Sequence, residues 1–315
     1  MRVLVTGGAG FIGSHVVPRL LADGHQVLVI DDLSSGSAEQ VPPRARLEIA
    51  TLAAPEAAAA MAAFAPEVVV HLAAPIDAGA SLAAPEADAR GGLLDSLRIL
   101  ERARACGRPH VVFASSAAVY GRIERLPSEE GDAGRPSTPY GVGKLTVERY
   151  LHFYERTHAM TSTSLRFANV YGERQTSAGE GGVVAIFCRD LLAGRAPRLF
   201  GGGEQTRDFV HAADVAEAVA RSVAARPAGA HNVATACETS IRELAARLIA
   251  ILAPGLAATQ APARAGDPPR SCLSYAALAR AVGWQPRVSL DDGLTRTAAW
   301  FRERAAATPA SSGKP

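Results

Sequence analysis

The sequence predicts an α/β fold, a doubly wound parallel sheet followed by a smaller C-terminal lobe. Three observations carry this prediction. Brief, nearly uncharged runs rich in β-branched residues alternate with longer amphipathic stretches, a cluster of glycines follows the first run directly, and the rhythm changes beyond Asn169.

The apolar runs fall at 3–5, 27–30, 68–72 and 111–114. Runs of this kind suit strands buried on both faces of a parallel sheet. Helical patterns lie between them at 15–22, 55–64 and 87–106. A further helix is expected from about Tyr140 to Arg156, followed by a strand at 163–167. Past Asn169, loops are expected at the glycine- and proline-rich stretches 179–182, 201–203 and 266–269. The expected organisation is a first domain over 1–170, with a segment at about 205–235 returning to it. A second lobe is expected over 171–204 and 236–306, covering the carboxyl ends of the strands, where ligands sit in open α/β folds. The stretch 307–315, with its TPASSGKP ending, is expected to be a disordered tail.

A formal charge of +2 and the lack of any basic run give no reason to expect nucleic acid or an acidic membrane surface as partner. Cys106, Cys188, Cys237 and Cys272 are widely spaced and form no metal-type cluster, so inert thiols and no metal are expected. Met1 to Gly7 runs straight into a strand and a turn. With no long apolar stretch and no small-residue cleavage site there, neither a signal peptide nor a membrane anchor is expected, and the cytoplasm is the default location.

Gly7-Gly8-Ala9-Gly10-Phe11-Ile12-Gly13 links the first strand to the first helix. Glycines in such a turn allow a tight bend, close approach of backbone to a pyrophosphate, and close helix–strand packing. The anion then sits at the positive helix end. The second strand ends at Asp31-Asp32, near the spacing expected of a ribose-binding acid. Such an acid accepts hydrogen bonds from ribose hydroxyls and repels a 2′-phosphate, which favours NAD over NADP in a Rossmann-type domain.

Tyr140 and Lys144 stand four apart on one face of the expected helix, just after the helix-start signal Ser137-Thr138-Pro139. A phenol of ordinary pKa near 10 is a poor base at neutral pH. A nearby ammonium and a positive nicotinamide ring are expected to lower that pKa. Ser115-Ser116 closes a strand at the mouth of the cleft, where the Ser116 hydroxyl can meet a substrate oxygen.

At this point the chain resembles the extended short-chain dehydrogenase/reductase family, and most of all its UDP-glucose 4-epimerase branch. The matching stretches are GGAGFIG at 7–13, DDLSSG at 31–36, HLAA at 71–74, SSAAVYG at 115–121, PYGVGK at 139–144, RFANVYGERQ at 166–175 and RDFVHAADV at 207–215. The resemblance implies NAD held by Gly7, Gly10, Phe11, Ile12, Gly13, Asp31, Asp32, Leu33, Ser34, Leu72, Ala73, Ala74, Tyr140 and Lys144. It implies catalysis by Ser116, Tyr140 and Lys144. A UDP-sugar would be bound by Ser116, Asn169, Gly182 and Val183, with Leu199 and Phe200 at the uracil and Ser271 at the sugar. Arg207 and either Arg264 or Arg270 would clamp the phosphates, a role suited to a guanidinium fork. Homodimers are also implied.

Ala117 and Ala118 discriminate among reactions, because related 4,6-dehydratases resemble Asp-Glu at this place and two alanines do no acid–base chemistry. The expected reaction is therefore inversion at C4 through a transient 4-keto sugar. The sugar is of the UDP-glucose/UDP-galactose type, with UDP-glucuronate and UDP-N-acetylglucosamine also admissible. Arg189 and Arg195 fall near the second lobe, where they either face a uronate carboxylate or, as is commoner, stay solvated on a helix face. The chain departs from the resemblance at Ala50 or Thr51, at Gly91-Gly92, and around Pro75-Ile76, each the loss of a polar side chain. Two rivals stay open: a nucleotide-sugar 4-ketoreductase and a non-catalytic dinucleotide-sensing protein. Epimerisation at C2 or C5 is a further alternative.

Overall fold

The computed structural model describes residues 1–75, 78–121, 125–175, 182–263 and 268–307. The first half is a strand–helix alternation: β1 (Arg2–Thr6), α1 (Phe11–Ala22), β2 (Gln26–Asp31), β3 (Arg46–Ile49), α2 (Pro55–Phe64) and β4 (Val68–His71). It continues through α3 (Ala78–Ala83), α4 (Pro85–Ala89), α5 (Asp95–Ala105), β5 (His110–Ser116), α6 (Pro139–His158) and β6 (Ser162–Phe167). Then come β7 (Asn169–Tyr171), α7 (Val183–Leu192), β8 (Arg198–Phe200), β9 (Thr206–Arg207), β10 (Phe209–His211), α8 (Ala212–Ala225) and β11 (Gly229–Val233). The chain closes with β12 (Thr239–Ser240), α9 (Ile241–Leu252), β13 (Thr259–Ala261), α10 (Ala276–Val282) and α11 (Leu290–Ala307).

Seven strands form one sheet in the order β11-β6-β5-β4-β1-β2-β3, and every pairing in it is parallel. Period-two alternation sends Val3 and Val5 into one core with Val16, Val17 and Leu20 of α1. Leu4 points into the opposite core, with Met61 of α2, Leu100 of α5 and Leu151 of α6. Both faces are thus covered, which is why the strands carry almost no charge. Strand order reverses between β1 and β4, and such a reversal opens a crevice at the strands' carboxyl ends. The glycine loop leaves β1 at this crevice, and Leu72 to Ala74 leave β4 beside it.

After β10, α8 packs against α1 and β11 returns to the sheet as its edge strand beside β6. Leu273, Leu278 and Trp284 also join the core on that face. A separate core gathers Val184, Phe187 and Leu191 of α7, Leu244 and Leu248 of α9, and Leu294 and Phe301 of α11.

The single helix expected over 87–106 is interrupted. Between α4 and α5 the backbone widens into a π-helical turn over Arg90–Leu94. At this turn a side chain at Gly91 would start 2.9 Å from the Pro75 ring, so ring and helix fit only because Gly91 has none.

Candidate active site

The loop after β1 is shaped by contacts that only glycine permits. Gly7 has φ of +71°, and a Cβ there would lie 2.6 Å from the Ala73 amide nitrogen. A Cβ at Gly13 would lie 2.4 Å from the Gly7 carbonyl oxygen, so α1 packs directly on the loop. Gly10 caps α1, no side chain satisfies the helix end, and its first turn holds no acid. That leaves the amides at Phe11 and Ile12 and the positive helix end suited to an anion. At the end of β2, Asp31 is buried and accepts hydrogen bonds from the Ala9 and Leu33 amides, both at 2.9 Å. Asp32 is exposed and accepts from the Ser34 amide at 2.9 Å. The next turn lies over the glycine loop, with the Ser37 amide donating to the Ala9 carbonyl at 3.1 Å. On the other side, the Leu72 and Ala73 amides both donate to the Thr6 carbonyl at 3.1 Å, and Ala74 follows. This cradle fits a dinucleotide: glycines where a pyrophosphate must approach, an open helix end, and a buried carboxylate at the end of the next strand.

Ser116 ends β5, and its Oγ accepts from the Ala118 amide at 3.1 Å. The short turn Ala117–Val119 follows, and it presents no acid or base. Tyr140 is the second residue of α6, whose start is fixed by Pro139 and by Thr138, whose Oγ1 accepts from the Gly141 amide at 3.1 Å. The Tyr140 hydroxyl hydrogen-bonds Ser116. Lys144, one turn on, is buried; its Nζ donates to the Ala114 carbonyl at 2.7 Å and lies 5.6 Å from the Tyr140 ring centroid. Strand end, helix start and helix turn therefore bring the three side chains together. Behind Lys144, buried His71 lies between Thr6 Oγ1 at 2.7 Å and Ser96 Oγ at 2.9 Å.

The expected electrostatics of Tyr140 require correction. Burial pushes its phenol up to about 12, only partly offset by the Ser116 hydrogen bond. Lys144 contributes no lowering, because its ammonium is turned toward the Ala114 carbonyl and burial pulls the lysine itself down to about 8. In the ligand-free chain Tyr140 is a neutral phenol. Further positive charge has to enter before it can act as a base.

On the substrate side, Asn169 is exposed on β7, Gly182 caps α7, and Val183 opens that helix. Leu199 is buried on β8, while Phe200 is half-buried with the Arg198 guanidinium 5.4 Å from its ring centroid. Thr206 draws three of the expected residues together. Its carbonyl accepts from Arg207 Nη1 at 2.6 Å and from the Ser271 amide at 3.2 Å, and its hydroxyl donates to Glu238. Glu238 holds Arg270 in a two-pronged ion pair, with Nε at 2.9 Å. Arg264 lies outside the described residues. Arg189 and Arg195 both pair with Asp190 on the protein surface, at 3.1 and 2.7 Å.

The sequence profile of the "NAD dependent epimerase/dehydratase family" matches residues 3–234. The chain belongs to this family. It is 41% identical to a UDP-glucose 4-epimerase of Mycolicibacterium smegmatis over 96% of this chain and 99% of that one. Among solved structures it is similar to the UDP-glucose 4-epimerase of Thermotoga maritima with UDP-glucose, at TM-score 0.94 and 36% identity over 97% of this chain and 100% of that one. The Thermus thermophilus UDP-glucose 4-epimerase in complex with NAD gives TM-score 0.90 and 39% identity over 96% and 99% of the two chains.

Within this epimerase family member, sequence reading missed two charged residues at the site. Glu238 is recruited through Thr206, 32 positions away. Asp88 lies on α4, buried, and lines one cavity with Tyr140 and Lys144. Its only sequence signal was an acid one helical turn before Gly92. The departures at Pro75 and Gly91 are one event in space, because the proline ring fills the room that a side chain at Gly91 would need.

Proposed function

We propose that this NAD-dependent nucleotide-sugar epimerase inverts C4 of a UDP-sugar of the UDP-glucose/UDP-galactose type. The observation that carries the reading is the Ser116, Tyr140 and Lys144 cluster beside a dinucleotide cradle, with Ala117 and Ala118 supplying no second acid or base. Gly7, Gly10, Phe11, Ile12 and Gly13 would hold the pyrophosphate of NAD, and Asp31 with the turn through Asp32, Leu33 and Ser34 would hold its adenosine ribose. Leu72, Ala73 and Ala74 would line the opposite wall. When bound, NAD supplies a positively charged nicotinamide that takes a hydride from C4 and returns it to the same carbon.

The chain's own residues then do four things. Ser116 hydrogen-bonds O4 of the sugar and keeps it beside the Tyr140 oxygen. Tyr140, once ionised, takes the O4 proton as the C4 carbonyl forms and gives it back as the carbonyl is reduced. Lys144, its ammonium donating to the Ala114 carbonyl, would hold the nicotinamide ribose. Arg207 and Arg270 grip the diphosphate while the 4-keto sugar turns to present its other face; Asn169, Gly182, Val183, Leu199, Phe200 and Ser271 form the rest of the pocket. A serine at position 271 leaves room in the sugar pocket, whereas the Asp190 pairing of Arg189 and Arg195 speaks against a uronate.

The active chain is proposed to be a cytoplasmic homodimer. No helix among the described residues is long and apolar enough to cross a membrane. Val142, Tyr150 and Phe153 on α6 are 50%, 39% and 50% exposed, a stripe of apolar surface suited to a second copy. The test of function is interconversion of UDP-glucose and UDP-galactose followed by proton NMR. Tyr140→Phe is expected to lower kcat by about 10² to 10⁴-fold. Full activity in that variant would overturn the assignment. Stoichiometric consumption of added reduced cofactor with a keto-sugar would identify a ketoreductase instead.

A further inference from the structure

Asp88 is a buried acid beside Tyr140 and Lys144 that the reaction above does not use. It is only 8% exposed, and its carboxylate makes no hydrogen bond among the described residues. Asp88 lines two spaces at once. Inward is a cavity of about 10 Å³, room for one water at most, shared with Tyr140, Lys144, Gly92 and Pro75. Outward is an apolar groove of about 510 Å³ walled by Pro85, Pro136, Thr138 and Val142. The acid is the charged member of the wall between them. Facing it on α6 is Gly143, where a Cβ would stand 3.9 Å from Asp88 Oδ2, an ordinary contact distance.

We propose that Asp88 is a positioning residue for the Tyr140–Lys144 pair, its carboxylate facing both across one cavity and keeping the Lys144 ammonium charged. The proposal rests on the reading of Tyr140 and Lys144 as the reacting pair. Burial alone drives Lys144 toward its neutral form, and the negative charges of Asp88 and Glu148 oppose it. Glu148 is itself bound two-pronged by Arg166, so its charge is largely committed elsewhere. His71 approaches from β4 but is held neutral by burial, at about 3. Glu86 and Arg90, on the outer side of the same helical stretch, are exposed and paired with each other. Among the described residues, Asp88 is therefore the uncommitted negative charge that faces Lys144. The same charge raises the Tyr140 phenol, so removing it should favour phenolate and disfavour ammonium together.

The chain is well suited to a direct test, because Lys144 and Lys314 are its two lysines. With ¹³C-lysine in the full-length protein, the Lys144 signal is the one lost in Lys144→Met, and it can be titrated without cofactor or substrate. In Asp88→Asn the Lys144 midpoint should fall by roughly one pH unit while Lys314 stays in place. Asp88→Ser, smaller and uncharged, should do the same and covers the case in which the amide disturbs packing. In turnover, both limbs of the pH profile of kcat/KM should move to lower pH in these variants. An unmoved Lys144 midpoint in a folded variant overturns the proposal. Because the lysine titration does not require turnover, it separates this idea from the function itself, which the Tyr140→Phe measurement decides.

Discussion

The phenol of Tyr140 is poised but not yet a base. Burial holds it at about 12, and the neighbouring ammonium donates to a backbone carbonyl instead of to the phenol. Positive charge arriving with NAD should supply the missing stabilisation. The ultraviolet phenolate titration of the chain, differenced against Tyr140→Phe, should therefore move to lower pH when NAD is added. An unshifted difference titration would mean that the base is another group. Ser116→Ala should lower kcat with little effect on NAD binding, because Ser116 meets the phenol and is not part of the glycine loop. Tyr140, Lys144 and Ser116 were legible in the sequence because helix periodicity and a strand end place them. Asp88 and Glu238 were not, because they reach the site through contacts between separate elements, and no local pattern encodes those contacts.

At the scale of elements, the site stands on two supports. The first is the glycine turn beneath α1: Gly13→Ala would put a Cβ 2.4 Å from the Gly7 carbonyl, so the helix has to move. The expected cost is about 2 kcal/mol, with NAD binding weakened in proportion, measured by thermal melting and calorimetric titration. The second support fastens α6 to β6. Glu148 and Arg166 are 9% and 6% exposed and meet in two parallel hydrogen bonds at 2.9 and 2.7 Å, with Ser115 Oγ donating to the same carboxylate. Glu148→Ala should cost about 3–5 kcal/mol, because it strands the arginine charge in the interior. A loss under 1 kcal/mol in denaturant unfolding would mean that water reaches Arg166. The long strands and helices of the first half could be read from apolar runs because both sheet faces are buried. The two- and three-residue strands β7 to β10, β12 and β13 could not, since they are too short to show a period. The π-helical turn was equally hidden, because the close approach of Gly91 to the Pro75 ring joins positions sixteen apart.

Across the whole molecule, acid should act through histidines buried in the neutral form. Burial lowers His71 to about 3 and His15 and His110 to about 4, against 6.5 in the unfolded chain. Below pH 6.5 the unfolded chain therefore binds protons that the folded chain refuses, so stability falls from there down through about pH 4. The melting temperature should drop between pH 7 and 5, and a constant value would mean that these histidines are hydrated. The crevice itself follows from strand order, since the reversal between β1 and β4 sets the cradle beside the Ser116–Tyr140–Lys144 cluster. The claim that most needs testing is that C4 is oxidised and reduced within one closed site. Purified enzyme given UDP-glucose deuterated at C4, in ordinary water, should yield UDP-galactose with deuterium still at C4. Label lost to water or to added cofactor would contradict the account.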